Sequence, residues 1–500
     1  MRIARDLLTV ADFTDALTDE AIATRSLIPR DLGLATILLH DDAAEWARRR
    51  TAGEFTPIPG QVVSVRKAGH GVRPVAELAV RDRVLYRALT RRWYDVLDAA
   101  DRSGEAYEAF RRAPVDSAVP GQYVVSSDIT ACYQYIDHGI LAREILARTG
   151  DSDGIDALTS LLAGITGRSY GIPQQSETSD ILAEAYLSIV ERRLVRHGLK
   201  MWRYNDDFRI SVDTWSDALN AVDTLERECR AVGLALNESK TFIRKHATYE
   251  VNLDRRAKVL KEISDEVELD LTQWLISPYE VEIVEPQADA VTVGAAEKVL
   301  AVWGSLVDSE DDLSAEEREK HDVLSDLLRW ALPVLSSQPT DKAVLEVCGM
   351  ILRFEQTLTP YVARYLGAGK SKPKVTIAWF EDFLSGNPYL TPWQAWWIAP
   401  SLRAHKGSYA TGSVQRTWLQ SVWDDPASPE PVRAGLALTM AEKKLIDADT
   451  LIKQFDAMTE TGRPYIARAL GTIAPKAHAG ALTLRFEDDW VKWAYDHGTV

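Results

Sequence analysis

Three carboxylates, Asp128, Asp206 and Asp207, fall where the local pattern reads as the end or the turn of a strand. Asp128 closes the run YVVSSD, and the adjacent pair sits within RYNDDFRI. Carboxylate oxygens suit hard divalent cations such as Mg²⁺ or Mn²⁺, and a site built from few of them leaves coordination positions for phosphate oxygens. Two such ions about 3.5–4 Å apart can activate an attacking hydroxyl and stabilise a leaving oxygen. Two strand ends set side by side by a sheet would form that clamp. Taken alone, an acidic pair in a turn is more often solvated, so the chemistry depends on the elements around it.

Those elements read as follows. GQYVVSSDIT (121–130) has the β-branched content of a short strand, and KMWRYNDDFRISVD (200–213) reads as two strands meeting at a turn around residues 205–207. From Thr178 the pattern is helical, with Ser179 as N-cap, Ile181, Leu182, Ala185, Ile189 and Leu194 at helical spacing, and Gly198 as the stop. A further helix is predicted from about Ser216 to Gly233. The segment 66–92 is the most basic in the chain, with eight Lys/Arg against Glu77 and Asp82. It predicts two strands around a Gly-rich turn, then a helix from Asp82. Residues 101–120, polar and with two prolines, predict a loop. Residues 1–60 predict short helices and loops closed by a turn at 57–60. This mixture lacks the strict βαβ rhythm of a doubly wound fold and points to α+β.

After about residue 256 the texture changes. Eleven of the 15 tryptophans lie there, strand patterns nearly vanish, and helix-length apolar periodicities alternate with Pro/Gly breaks. PYVARYLG (360–367) returns as PYIARALG (464–471), six identities in eight, which suggests a degenerate array of helical hairpins. Trp393, Trp396 and Trp397, and the cluster Trp490, Trp493 and Tyr495, have the spacing of packed helix seams; base stacking and subunit contact are the other uses of such residues. The chain has 500 residues, too many for one ordinary domain. Its net charge of −16 would by itself argue against a nucleic-acid partner. The acidity is uneven, however. Residues 1–260 hold 35 basic and 38 acidic side chains, the other 240 hold 23 and 36. Cys132, Cys229 and Cys348 are too few and too scattered for a disulfide framework or zinc cluster. The first twenty residues interrupt their apolar positions with acids, and no run of about 18 apolar residues stands out. The expectation is a cytoplasmic protein with no membrane segment.

Five segments occur in one order: GVRPVAELAVRDRV (71–84), DITACYQYIDH (128–138), GIPQQSETSDILAEAYL (171–187), YNDD (204–207) and GLALNESKT (233–241). This set resembles the reverse transcriptases, especially the bacterial branch of group II intron, retron and abortive-infection enzymes. The resemblance implies fingers (with Arg73) and palm over residues 1–255, with Asp128 and Asp206 as metal ligands supported by Asp207. It places Tyr133 beneath the incoming sugar, Arg73 and Lys67 on the triphosphate, Gln174 beside the nucleotide, and Lys240 at the pyrophosphate leaving group. From neighbouring residues alone, Tyr133 is equally a buried aromatic, Lys240 a solvated lysine, and Arg66 competes with Lys67. His138 of the IDH segment reads as structural. The triphosphate is expected along the basic segment 66–92.

Two departures matter. Gln175 stands where many relatives have Gly, and Ser179–Asp180 stand where they have Ser-Pro. A bulkier side chain and a carboxylate there are expected to crowd or repel an ordinary template. The acidic stretch within 256–330 is also unlike a basic, duplex-gripping thumb. The combination resembles the defence-associated branch with an all-α, HEAT-like helical-repeat domain at 256–500 and no standard thumb. It implies deoxynucleoside triphosphates as substrates, Mg²⁺ or Mn²⁺ as cofactor, and template-independent DNA synthesis. The product would be single-stranded DNA, attached covalently where a protein hydroxyl primes, and the assembly a homo-oligomer. Two rival readings stay open: a templated enzyme copying a partner non-coding RNA, and a catalytically inert oligomeric binding protein.

Overall fold

The computed structural model describes residues 2–4, 6–23, 27–67, 71–99, 101–117, 121–174, 176–271, 289–307, 314–368, 373–404, 409–473 and 486–499. Eight strands among them form three antiparallel sheets. β1 (Arg2–Ile3) pairs with β2 (Gly53–Glu54), and β3 (Gln61–Arg66) pairs with β4 (Val72–Glu77). β5 (Tyr123–Asp128), β6 (Lys200–Tyr204), β7 (Asp207–Val212) and β8 (Phe242–Lys245) make one sheet in the order β6-β7-β5-β8.

β5 is central and buried on both faces, which explains its β-branched sequence. Side chains alternate across a strand. Val125 therefore joins the main core, while Val124 packs on the other face with Tyr249 and Leu253 of the helix His246–Val267. β6 and β7 meet through a two-residue turn whose first residue, Asn205, has φ 52°, a left-handed conformation that Asn tolerates well. The IDH segment is structural: Asp137 caps the helix His138–Thr149 by accepting from Ile140 N at 2.8 Å, and the buried His138 ring bonds Gly171 O at 2.7 Å.

Three expectations change. The described part of 101–120 is mostly helix, not the excursion or loop expected. Ser103 caps a helix, Gly104–Asp116, by accepting from Ala106 N. Pro114 is accommodated in its last turn. The helix Glu177–Arg196 has Ser176 at its N-cap position, not Ser179, which lies buried within the first turn beside the Tyr86 hydroxyl at 2.8 Å. The third concerns the basic segment. The arginines of the helix Val80–Arg91 are largely neutralised, Arg83 by Glu20 and Glu77, Arg87 by Glu20 and Glu177, and Arg91 by Asp15 and Asp19. Their charge is taken up by acids on the helix Val10–Ile22, on β4 and at the start of Glu177–Arg196, so much of the segment 66–92 is unavailable to a triphosphate.

From His246 onward every described element is helical. The helix Ala290–Val307 is long and apolar enough to cross a membrane by length and composition. It packs instead on the helix Ala315–Ser336, burying Trp303, whose indole donates to Ser325 Oγ at 2.8 Å. The later helices return to the first sixty residues. Trp46 stacks on Trp490 with ring centroids 5.3 Å apart, and Arg468 pairs with Asp31. The Trp393 indole donates to Leu27 O. One hydrophobic core consequently runs from Ile3 to Tyr495. Trp393, Trp396, Trp490 and Tyr495 are buried in it, which assigns those clusters to packing.

Candidate active site

Sheet register assembles the three carboxylates. Asp128, the last residue of β5, lies directly opposite Asp207, the first of β7. Asp206 precedes Asp207 in the turn, and its carbonyl accepts from Ile129 N at 3.1 Å, which ties the turn to the end of β5. Carboxylate oxygens from all three lie within 4.8 Å of one another. Burial, then the neighbouring Asp128 and Asp207, push Asp206 up to about 6, against an opposing effect of Lys240. Three acids this close repel one another, and a divalent cation would relieve that repulsion while finding an all-oxygen donor set. The residues therefore fit Mg²⁺ or Mn²⁺.

Lys240 and Asn237 complete one side. Lys240 Nζ donates to Asp128 Oδ1 at 3.0 Å, and Asn237 Nδ2 donates to Asp128 Oδ2 at 3.2 Å. The Asn237 amide also donates to the Asp128 carbonyl at 2.7 Å. Burial works against the charge on Lys240, but the bond to Asp128 and the fields of Asp207 and Asp206 outweigh it, leaving its pKa raised. Lys67 and Arg73 come from the β3–β4 hairpin. Val65 pairs with Arg73 across the β3–β4 hairpin, so Arg73, Val65 and Lys67 share a face, and Arg66, opposite Val72, takes the reverse one. Lys67 is lowered by burial, then by Arg73 and Lys240, with Asp128 and Asp206 opposing. All four groups are therefore near enough to act on it. Among the described residues no ion pair is recorded for Arg73 or Lys67.

Tyr133 follows Ala131, whose φ of 48° turns the chain sharply after β5. Its hydroxyl donates to Asp180 Oδ1 at 2.6 Å and accepts from Arg102 Nη2 at 2.8 Å, while Arg102 Nη1 lies 3.1 Å from Asp180 Oδ1. The expected repulsion from Asp180 is thus largely cancelled by a partnered guanidinium. Gln175, the other departure, lies outside the described residues. Gln174 lines a cavity of about 700 Å³ together with Tyr86, Arg83, Arg87 and Glu20. A cleft of about 480 Å³ opens instead on Asp207 and Lys240, walled by Arg111, Arg209, Arg244 and Tyr249. Arg102 carried no sequence signal, because it precedes a helix that the prolines obscured. Asn237 lies within GLALNESKT, a segment the sequence singled out without marking this residue.

Residues 65–259 match the family model described as reverse transcriptase (RNA-dependent DNA polymerase). The chain carries a reverse transcriptase domain. The matched span takes in the three carboxylates, Lys240, Lys67, Arg73 and Tyr133. No curated protein matches the chain. Among solved structures, apo telomerase from Candida tropicalis is 11% identical over 73% of this chain and 71% of that one, at a TM-score of 0.30. Telomerase from Candida albicans in complex with a fragment of telomeric RNA is 11% identical over 73% of this chain and 64% of that one, at 0.31. A truncated Candida tropicalis telomerase is 14% identical over 37% of this chain, at 0.27. The chain spans 50% of the length of that truncated enzyme.

Proposed function

We propose that this protein is a DNA polymerase of the reverse-transcriptase kind that acts in anti-phage defence and extends a primer without an ordinary template. The observation that carries the polymerase reading is the register of β5 against β7, which collects Asp128, Asp206 and Asp207 within 4.8 Å. Defence and template independence rest on the ordered motifs, on Gln175 in place of Gly, and on an acidic second half where a basic thumb would stand.

In this reading Asp128, Asp206 and Asp207 hold Mg²⁺ or Mn²⁺. Bound there, the ions would supply charge neutralisation and a more nucleophilic primer oxygen. A primer hydroxyl, from a nucleic acid or a protein side chain, attacks the α-phosphorus of a deoxynucleotide, and the bond to pyrophosphate breaks. Arg73 and Lys67 hold the triphosphate from the hairpin face they share, with the planar guanidinium suited to two phosphate oxygens. Lys240 offsets charge building on the leaving group, Tyr133 excludes a 2′-hydroxyl, and Gln174 borders the nucleotide from its own side. Catalysis is then mostly positioning and electrostatics. We read residues 1–255 as fingers and palm and 256–500 as a HEAT-like array, with the helix His246–Val267 running through the junction. A homo-oligomer in the cytoplasm completes the reading; the three buried, free cysteines suit a reducing compartment.

The test is incubation of purified protein with labelled deoxynucleotides and Mg²⁺, with and without nuclease-treated RNA. Incorporation that survives nuclease, and product released from denatured protein only by protease, are the expected results. Dependence on a co-purifying RNA would replace template independence by copying of that RNA. Equal lack of incorporation in wild type and Asp206→Ala/Asp207→Ala would end the polymerase reading and leave the inert binding protein.

A further inference from the structure

Asp180 and Arg102 close a ring of polar contacts on the Tyr133 hydroxyl, at 2.6, 2.8 and 3.1 Å. The three residues come from separate places: the turn after β5, the first turn of the helix Glu177–Arg196, and the residue just before the Ser103 cap. Arg102 is itself anchored, since its carbonyl accepts from the Tyr204 hydroxyl at 2.8 Å, and Tyr204 ends the strand that delivers Asp206. The ring of Tyr133 is thereby tied at its tip to the hairpin that carries the carboxylates. A phenol held only by packing can rotate about its side-chain bonds. One held by a charge-assisted bond at its hydroxyl resists displacement.

We infer that Asp180 and Arg102 are positioning residues for sugar selection, locking Tyr133 so that its ring cannot yield to a 2′-hydroxyl. This rests on the reading of Tyr133 as the residue under the sugar and deepens it. The carboxylate at 180, its repulsion offset by Arg102, then has a purpose other than keeping a template away: it supplies the acceptor that a proline there could not. Selection is carried by a side-chain network outside the metal site, and the bulk of the ring is only half of the device.

The experiment measures KM and kcat for a deoxynucleotide and the matching ribonucleotide in wild type, Tyr133→Phe, Tyr133→Ala, Asp180→Ala, Asp180→Asn and the pair Tyr133→Phe/Asp180→Ala. Removing the hydroxyl or its acceptor should cut discrimination by about ten-fold, the worth of one net hydrogen bond, chiefly through a lower KM for the ribonucleotide. The double variant should lose no more than either single one, because both break the same tie. Asp180→Asn, which keeps an acceptor oxygen and the side-chain volume, should recover most of the discrimination and carries the test if the alanine variant folds poorly. Wild-type discrimination in Asp180→Ala, alongside a loss in Tyr133→Ala, overturns the inference and leaves the placement of Tyr133 intact. Unchanged discrimination in Tyr133→Ala overturns that placement and the inference with it.

Discussion

The palm sheet and the helical half bury different side chains to opposite ends. Around β5 the interior brings charge together: Asp128 is 6% exposed, and Asp206 and Asp207 crowd it. The backbone ladder between β5 and β7 fixes these acids, so their repulsion cannot relax by moving apart. In the helical half the large buried groups include the indoles of Trp303, Trp330 and Trp393, and the first and last of these donate to Ser325 Oγ and to Leu27 O. Among the described residues no second group of three His, Cys, Asp or Glu side chains comes close enough to hold an ion. Stored electrostatic repulsion marks a region built to receive a ligand, and closed apolar packing marks a region built to hold shape.

The sharpest way to break this contrast is Asp206→Ala. Nucleotide incorporation should fall by on the order of a thousand-fold, while the melting temperature without metal should not fall, because a repelling acid has been removed. A destabilised variant would mean that the carboxylates hold the sheet together. Trp393→Ala should do the reverse. Urea unfolding should show a loss of about 3–5 kcal/mol, with incorporation per folded molecule near wild type.

Asp82 sharpens the comparison, being a fully buried carboxylate outside the site. Burial raises it to about 6, although Ile58 N donates to it at 2.6 Å. A folded value above the ordinary 3.8 means that the neutral acid is favoured. Its stabilising contribution is therefore present below about pH 4 and lost as pH rises through about 6. Asp82→Asn should flatten that part of the stability profile, a difference of up to about 3 kcal/mol between the limits at about 1.4 kcal/mol per tenfold step. Equal slopes in the two proteins, followed by denaturant midpoint against pH, would remove Asp82 as the cause. The smallest effect is expected at the half-exposed pair Arg49–Asp489, where Arg49→Ala should cost less than about 1 kcal/mol in thermal unfolding.

The echoed octapeptide shows where reading the chain stops. Both copies are helical, in Thr359–Gly367 and Arg463–Ile473, as their spacing predicted. Their final glycines differ in use. A Cβ on Gly471 would collide with the Tyr495 carbonyl, whereas one on Gly367 would meet Ser401 only at ordinary contact distance. Likewise 66–92 was legible as a basic hairpin and helix, but not that Glu20, Asp15 and Asp19 would neutralise its helix and leave Lys67 close enough to Asp128 and Asp206 to feel their charge. Salt-bridge partners some seventy residues distant leave no periodic trace.

By itself the sequence determined the strand ends, the turn at 205–207, the acids they carry and the helical texture after 256, because these follow from local pattern with periods of two and 3.6 residues. Tertiary structure alone decided which charges remain available, that Asp180 turns to Tyr133 and Arg102, and that the tryptophans close on the first sixty residues. Those outcomes depend on contacts between distant segments, whose energies are set by burial and geometry that no short stretch of chain encodes.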